Sequence, residues 1–449
     1  ALLVAWSGEH EVILFYLMEG IPVYFHIDAV GRLFVTVVSI VWLCVGFYSF
    51  TYMEHEGEEK RFFGFFLLVY AVLVALDFSG NLVTMYLFYE LMTLCSMPLV
   101  LHNGSREAIM AALKYLFYSM CGAYLGLFGI FCLYHYCDTL AFTAGGTLNR
   151  AAASGHTGLL LVAVLAMLIG LGAKSGDVPA ACMAADGTSG GSVPGICRSV
   201  RNYRKVWRAG GDPCGILHRR SGSTPGHMGA EYLDDPDLAY RIYGLAARHF
   251  GSRYLKKGLA YSTVSQVSYI LFGLSVLQPE AMSGALMHVI FHAFIKCALF
   301  LTAGVFIFKY GKTRVEELDG IGKQLPKTLW CYTFAALALI GIPPMSGFIS
   351  KWHLAEGALA APVGVFRYLG PIVLLVSALL TAGYLLPVTV HGFLPGRDWQ
   401  AVHSAQTAPE KEPVGMLVPL LVLAALAVLL GLFPNPIISY VTDLAATLL

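Results

Sequence analysis

The sequence predicts an all-α membrane protein, a helical bundle that crosses the bilayer many times. Of its 449 residues, 57% are hydrophobic and only 13% are charged, and the mean hydropathy is +0.67. An average globular domain is about 25% charged. The apolar residues form continuous runs whose length is close to that of a membrane-spanning helix, which takes about 20 residues. A membrane β-barrel would show alternation instead, so these runs favour helices.

Ten apolar segments of spanning length follow one another, separated mostly by short polar loops. They lie at about 34–50, 62–79, 82–101, 110–134, 157–175, 259–277, 284–308, 328–360 with an interruption, 368–392 and 415–433. Loops rich in lysine and arginine mark the cytoplasmic side of a membrane protein. Such loops lie at 51–61, 309–327 and 393–413, so we expect these three on the cytoplasmic side.

Composition narrows the classes of partner and cofactor. A net charge of +1 argues against a nucleic-acid partner. The ten cysteines are scattered without metal-ligand spacing, so neither a disulfide framework nor a metal site is predicted. No nucleotide, flavin, haem or iron–sulfur motif is present, so we expect no cofactor. The chain starts at Ala1 rather than Met and shows no cleavable signal peptide, which predicts an N-terminal truncation.

The apolar stretch 284–308 contains three titratable residues in its first half. His288, His292 and Lys296 are each four residues from the next, and this spacing places side chains on one face of a helix. Titratable groups in hydrocarbon are costly, so they normally face the protein interior or a water-filled path. The pattern favours an ion pathway. The alternative is a structural polar seam, in which the histidines bond neighbouring helices and the lysine extends to the membrane surface.

Other polar residues lie within the predicted spans. Glu90 is the acid placed deepest in a span, and it is either an acid that titrates or a lone carboxyl bonded to a neighbouring helix. Lys114, inside the next helix, is either an ion-path residue or a lysine that extends to the interface. The segment 259–277 has a polar face that would hold water or bond across helices. This face consists of Tyr261, Ser262, Ser265 and Gln266.

A helix break is predicted inside the segment 328–360. Pro343 and Pro344 remove two backbone donors, and Gly347 follows them. Broken helices at membrane depth occur only where protein or a wet cavity meets the freed backbone groups. Lys351 comes directly after the break and is therefore a candidate site residue. The alternative is a simple loop between two short helices, with a solvated Lys351.

The region 176–258 does not fit the helical pattern, since it holds twelve of the 29 lysines and arginines and no spanning run. A soluble inserted domain is one interpretation, but the region has few branched aliphatic residues for a core. The other interpretation, which we favour, is translation out of frame. After a one-base shift at Gly176, the codons of the tract that ends at Ala184 are compatible with Gly-Met-Phe-Pro-Leu-His-Ala-Trp-Leu. The codons from Ser199 to Gly210 can be regrouped in the same way into Ser-Gly-Ile-Thr-Gly-Lys-Ser-Gly-Val-Leu-Ala, which is typical of a membrane helix. The original frame resumes by residues 256–257.

Five stretches resemble a known family of membrane proteins. They are GNLVTMYLFYELMTL at 80–94, GLGAKSG at 170–176, LAYSTVSQVSYILFGL at 259–274, HVIFHAFIKCALFLTAG at 288–304 and GIPPMSGFISKW at 341–352. The chain resembles the antiporter-like, proton-conducting membrane subunits shared by respiratory complex I, membrane-bound hydrogenases and multisubunit cation/proton antiporters of the Mrp type, where the similarity is to the D subunit. The resemblance covers nearly the whole chain except 176–254.

The resemblance implies roles for particular residues. It implies two inverted repeats, each with a discontinuous helix, near Lys174 and before Lys351. Glu90 and Lys174 would form a coupled pair in which protonation of the acid helps the lysine to release a proton. Another buried lysine of the family overlaps Lys205, which the shifted frame also encodes as lysine. Lys351 would be the ionisable site of the outer half.

These inferences divide the chain into five parts. Residues 1–33 would be a remnant of N-terminal helices and a loop, 34–175 the first helical repeat, 176–258 the aberrant segment, 259–392 the second repeat, and 393–449 a C-terminal loop and helix. The expected function is proton translocation, with sodium/proton exchange as a variant. The expected partners are the lipid bilayer and other membrane subunits of one complex in the bacterial cytoplasmic membrane. The alternatives are a stand-alone secondary transporter for a small substrate and a structural or non-functional subunit.

Overall fold

A computed structural model of the chain describes residues 1–102, 104–142, 149, 156–172, 254–276, 278–361, 366–396 and 411–447. Helices dominate this part of the chain, and six of them are long and apolar enough to cross a membrane. The predicted all-α, multi-pass bundle is thereby confirmed. Lys174, Lys205 and nearly all of the segment 176–258 lie outside the described residues, and the inverted repeats and the N-terminal truncation stay predictions.

The first half of the chain contains six helices and one hairpin among the described residues. The elements are α1 (Leu2–Trp6), β1 (Glu11–Met18), β2 (Ile21–His26), α2 (Ala29–Glu56), α3 (Glu59–Asp77), α4 (Leu82–Val100), α5 (Arg106–Tyr136) and α6 (Thr157–Gly172). β1 and β2 pair in antiparallel register, with Glu11 opposite His26 and Met18 opposite Ile21. This hairpin lies within residues 1–33, for which helices and a loop were predicted.

The second half contains the remaining helices. The elements are α7 (Leu255–Ser275), α8 (Pro279–Tyr310), a short 3-10 turn (Val315–Leu318), α9 (Ile321–Gln324), α10 (Pro326–Ile340), α11 (Ser346–Ala360), α12 (Phe366–Phe393), α13 (Val414–Leu432) and α14 (Asn435–Ala446). The predicted interruption of 328–360 is present, since α10 ends at Ile340 and α11 begins at Ser346.

Local sequence explains where several helices begin and end. Asn81 caps α4, because its side-chain oxygen accepts the backbone N–H of Thr84 at 2.6 Å. A proline is the first residue of α8 and another is the first residue of α10, where a backbone N–H would have no acceptor within the helix. Gly311 ends α8 and Gly341 ends α10 at φ of 64° and 88°, a left-handed conformation that glycine adopts readily.

α8 forms the centre of the bundle. Every residue from Ala281 to Phe306 is buried, and the helix packs against α2, α7, α10, α11, α13 and α14. A helix that is apolar on all sides and buried on all sides occupies a core. His288, His292 and Lys296 therefore face protein rather than lipid.

Glycines allow α8 and α11 to approach closely. A Cβ atom added at Gly284 would lie 2.7 Å from the backbone nitrogen of Leu354, and one added at Gly357 would lie 2.3 Å from the backbone nitrogen of Ala281. Small residues serve this purpose widely between membrane helices. The α8–α11 contact is thus made by backbone against backbone, which holds the two helices in one fixed relation.

Gly284→Val is expected to destabilise the bundle, because the added side chain must push α11 away. Overpacking of this kind costs about 1–3 kcal/mol. The measurement is the melting temperature of the purified complex that contains this chain, which we expect to fall by several degrees. Gly383→Val on α12 is the matched control, since a Cβ there meets nothing within 4 Å. Equal melting temperatures for the two variants would contradict this account of the contact.

Candidate functional site

The three titratable residues of α8 lie inside the protein and together form what we call the central row, Lys296, His292 and His288. Their exposed fractions are 0%, 1% and 3%, respectively. A lysine at the centre of a spanning helix costs about 2.5–3.5 kcal/mol when nothing compensates it. The complete burial of Lys296 therefore requires partners for its ammonium group on the neighbouring helices.

Lys296 binds the first turns of α7. Its Nζ donates to the carbonyl oxygen of Leu259 at 2.7 Å and also to the hydroxyl oxygen of Ser262. The same ammonium lies 5.9 Å from the centre of the Phe300 ring. Hydrogen bonds to a charged group contribute about 1.5–3 kcal/mol each, so these contacts offset the cost of burial. The polar face predicted on the segment 259–277 supplies this site.

His288 connects α8 to two other helices. Its Nδ1 lies 2.9 Å from the hydroxyl oxygen of Ser350 on α11, and its Nε2 lies 3.1 Å from Oε1 of Gln266 on α7. Ser350 also lies 3.2 Å from the carbonyl oxygen of Gly347, to which it donates.

Ser350 has one hydroxyl hydrogen, so it donates either to Nδ1 of His288 or to the carbonyl oxygen of Gly347, but not to both at once. A neutral His288 that donates from Nε2 needs Ser350 to donate to its Nδ1. A doubly protonated His288 donates from both nitrogens, and Ser350 then turns its hydrogen to Gly347. Both states of the ring find hydrogen-bond partners within the same geometry, so this histidine can accept and release a proton without moving its backbone.

His292 lies between the other two members of the central row. Its ring stacks on that of His288, with centres 5.9 Å apart and planes 9° apart. Neither ring nitrogen of His292 has a hydrogen-bond partner among the described protein groups, although both are buried. A buried imidazole without protein partners is unusual and marks a position where a function is expected.

Tyr269 on α7 links the central row to Lys351, which follows the helix break, here defined as residues 341–345. The edge of its ring meets His288 at 5.6 Å between ring centres, and its hydroxyl donates to Ser377 on α12. The ammonium of Lys351 lies 5.4 Å from the centre of the same ring. A cation over an aromatic face is attracted by the ring quadrupole, so Tyr269 contacts both groups.

Lys351 binds the carbonyl groups that the helix break leaves without helical partners. Its Nζ donates to the carbonyl oxygens of Leu339 and Ile340, both at 2.8 Å. These are the last carbonyls of α10, and the C-terminal end of a helix attracts a cation. Gly341 makes room for the side chain, because a Cβ there would lie 3.0 Å from Cδ of Lys351. The end of α10 at the helix break therefore forms a cation site, which Lys351 occupies.

Glu90 lies in the first half of the chain, on α4, and is half-buried. The preceding residue, Tyr89, is fully buried, and its hydroxyl donates to the carbonyl oxygens of Leu171 at 2.9 Å and Gly170 at 3.4 Å. These carbonyls lie at the end of α6, three and four residues before Lys174 in the sequence. The helix of Glu90 is thus bound to the helix that leads to the predicted partner.

The structure brings together four of the predicted site residues and leaves others apart. His288 contacts His292 directly and Lys351 through Tyr269, while Lys296 lies four residues from His292 on the same buried helix and bonds to α7. Lys114 is exposed on α5, away from the central row. Sequence reasoning missed Tyr269, Ser350 and Ser377; the signals were the three-residue step from Gln266 to Tyr269 and the position of Ser350 directly before Lys351. Within the described ranges, no group of three or more His, Cys, Asp or Glu residues could hold a metal ion.

The chain matches two protein-family descriptions. Residues 79–196 and 250–388 match "NADH:quinone oxidoreductase/Mrp antiporter, TM", and residues 19–63 match "NADH-Ubiquinone oxidoreductase (complex I), chain 5 N-terminus". The first match covers more than half of the chain and contains the central row, the helix break and Lys351.

Individual members of this family are similar to the chain over most of its length. NADH-quinone oxidoreductase subunit N of Desulforudis audaxviator is 32% identical over 439 residues, covering 93% of this chain and 84% of that protein. The Na(+)/H(+) antiporter D subunit of Bacillus subtilis is 27% identical, covering 94% of this chain and 83% of that protein. Among solved structures, the Mrp complex from Dietzia sp. DQ12-45-1b gives a TM-score of 0.80 at 22% identity, covering 98% of this chain and 87% of the matched chain. Respiratory complex I from Thermus thermophilus gives a TM-score of 0.78 at 18% identity, covering 100% of this chain and 91% of the matched chain.

Proposed function

The chain belongs to the NADH:quinone oxidoreductase/Mrp antiporter family of membrane subunits, and from that premise we propose that it translocates protons across the membrane as one subunit of a multisubunit complex. The observation that carries the proposal is the buried central row, in which Lys296 bonds to α7 and His288 bonds to α7 and α11. Tyr269 contacts both His288 and Lys351. Amines and imidazoles exchange protons, and a buried titratable residue in a membrane helix marks an ion path.

The proposed path has two halves. Protons enter near Glu90, pass Lys174 and the in-frame counterpart of Lys205, and then follow the central row. They leave near Lys351. The exchange of the Ser350 hydrogen between Gly347 and His288 supports a proton step at His288, and the unpartnered nitrogens of His292 support a second step beside it.

The energy must come from elsewhere in the complex, because the sequence contains no redox motif. The relatives named as an NADH-quinone oxidoreductase subunit and as a Na(+)/H(+) antiporter subunit suggest two sources, a redox reaction in a partner or the exchange of another cation. We place the chain in the bacterial cytoplasmic membrane beside other membrane subunits. Protons are the proposed ion, and sodium is the variant.

The test uses the complex purified through a tag on this chain and inserted into liposomes that contain a pH-sensitive dye. Under the driving reaction of the complex, the dye is expected to report proton movement, and a sodium probe is expected to report none. Uptake of a small substrate by the chain alone would instead favour a stand-alone transporter. A complex that runs its driving reaction without moving either ion would refute the proposal.

Glu90→Gln is expected to lower proton movement per assembled complex about tenfold. The amide keeps the size of the carboxyl but cannot bind and release a proton. The liposome assay measures the rate, and the amount of assembled complex is expected to stay near that of the wild type. Glu356→Gln is the control, because Glu356 is an exposed glutamate on α11. Equal rates for the two variants would remove Glu90 from the path.

We also propose that the aberrant segment 176–258 is read out of frame. The match to the family is interrupted between residues 196 and 250, which supports this reading, although the match extends to 196. The nucleotide sequence that encodes residues 175–257 tests the proposal directly. If the shift occurs in the cell, proton movement is expected only when an in-frame copy of the chain is supplied.

A further inference from the structure

The start of α10 is capped by a residue that is distant in the sequence. Glu412, just before α13, is buried, with 8% of its surface exposed. Its Oε1 accepts the backbone N–H of Lys327 at 3.0 Å, and its Oε2 accepts the N–H and the hydroxyl of Thr328 at 2.9 and 2.5 Å. These are free donors of the first turn of α10, which has no local side-chain cap. A carboxylate at this position also complements the helix dipole.

The end of α13 lies against the helix break. A Cβ atom added at Gly431 would lie 2.3 Å from the carbonyl oxygen of Pro344, 2.5 Å from the backbone nitrogen of Ser346 and 2.6 Å from the carbonyl carbon of Met345. Only a glycine lets the backbone of α13 come so near to the segment that joins α10 to α11. This contact is independent of the one at Glu412.

The two contacts define the direction of α13. Glu412 precedes α13 and binds the start of α10, whereas Gly431 is near the end of α13 and contacts the segment that follows α10. The two helices therefore run parallel, side by side, over the about 22 Å that a 15-residue helix spans. α13 also packs against α8 and α11. It is thus attached to both ends of the helix whose last carbonyls bind Lys351.

We propose that α13 is a brace for the helix break, and that Glu412 and Gly431 are positioning residues that hold the carbonyl groups of Leu339 and Ile340 on Lys351. Glu412 prevents α10 from sliding along its axis, and Gly431 seats the break against α13. Neither residue touches the proton path. The inference rests on the proposed function, in which Lys351 releases protons.

The experiment compares variants at both ends of the brace in the purified complex. Gly431→Ala adds one methyl group that must displace the break. Glu412→Ala removes both acceptors, and Glu412→Gln keeps one acceptor oxygen in the same shape. Gly383→Ala is the matched control, because a Cβ there has open space. Lys351→Ala tests the underlying function in the same preparation.

Two readouts are the amount of assembled complex and the number of protons moved per turnover of the driving reaction. The third, measured by cryo-electron microscopy, is the distance from Nζ of Lys351 to the carbonyl oxygens of Leu339 and Ile340. We expect Gly431→Ala and Glu412→Ala to assemble but to move at least fivefold fewer protons per turnover, with at least one Nζ–oxygen distance lengthened from 2.8 Å to beyond 3.5 Å. Glu412→Gln is expected to recover part of the loss, and Gly383→Ala to match the wild type.

Two results would overturn the brace while leaving the proposed function in place. One is wild-type proton movement in Gly431→Ala and Glu412→Ala when Lys351→Ala is inactive. The other is a loss of assembled complex alone, with protons per turnover unchanged, which would make both residues purely structural. Should Gly431→Ala fail to assemble, Glu412→Gln decides between these outcomes. Wild-type proton movement in Lys351→Ala would instead refute the proposed function, and the inference with it.

Discussion

Replacing Lys296 by methionine is expected to reduce proton movement per complex at least tenfold while the complex still assembles. Methionine has an unbranched side chain one heavy atom shorter than that of lysine, and it has no proton to exchange. The carbonyl oxygen of Leu259 keeps its hydrogen bond from the Ser262 hydroxyl, at 2.8 Å, so the loss of the ammonium leaves no orphaned acceptor there. Burying an ammonium group costs free energy that an apolar side chain does not incur, so we expect the complex to assemble.

The matched control for Lys296 is Lys309→Met, which makes the same change in the last turn of the same helix. Lys309 is only half-buried and lies 13 positions farther along, outside the central row. The liposome assay is expected to show wild-type proton movement for the control. If Lys296→Met also moves protons at the wild-type rate, the central row is a structural seam, which is the alternative that the sequence left open.

Much of the site could be predicted because its residues share one helix. Spacing by four residues places His288, His292 and Lys296 on one face whatever the tertiary structure, and the cost of a charge in lipid favours an inward-facing position at the middle of a span. The break was equally visible, since two adjacent prolines cannot continue a helix. Both signals are local, and local signals need no knowledge of which helices are neighbours.

The partners of these residues could not be predicted, because they come from other helices. Ser350, Tyr269 and Ser377 are common residues in membrane helices, and only the packing of α7, α11 and α12 against α8 gives them a role. Glu412 is 84 positions from Thr328, and nothing in the sequence links the two. The exposure of Lys114 also depends on tertiary packing, since its sequence context resembles that of a buried lysine.

Lys351 is expected to require a side chain that can lose its proton, not merely a positive charge. Lys351→Met removes the ammonium, and Lys351→Arg keeps a charge that cannot be released, since the arginine pKa exceeds about 12. We expect both variants to lower proton movement at least tenfold in the liposome assay. Arginine should preserve the contact with the end of α10, because a guanidinium also donates to the carbonyl oxygens of Leu339 and Ile340.

The comparison between the two variants separates a proton carrier from a fixed structural cation. A structural cation predicts that Lys351→Arg keeps both the melting temperature and the proton movement of the wild type, whereas Lys351→Met loses both. A proton carrier predicts that Lys351→Arg keeps the melting temperature and loses proton movement. Wild-type proton movement in Lys351→Arg would therefore end the proton path before Lys351 and confine it to the central row.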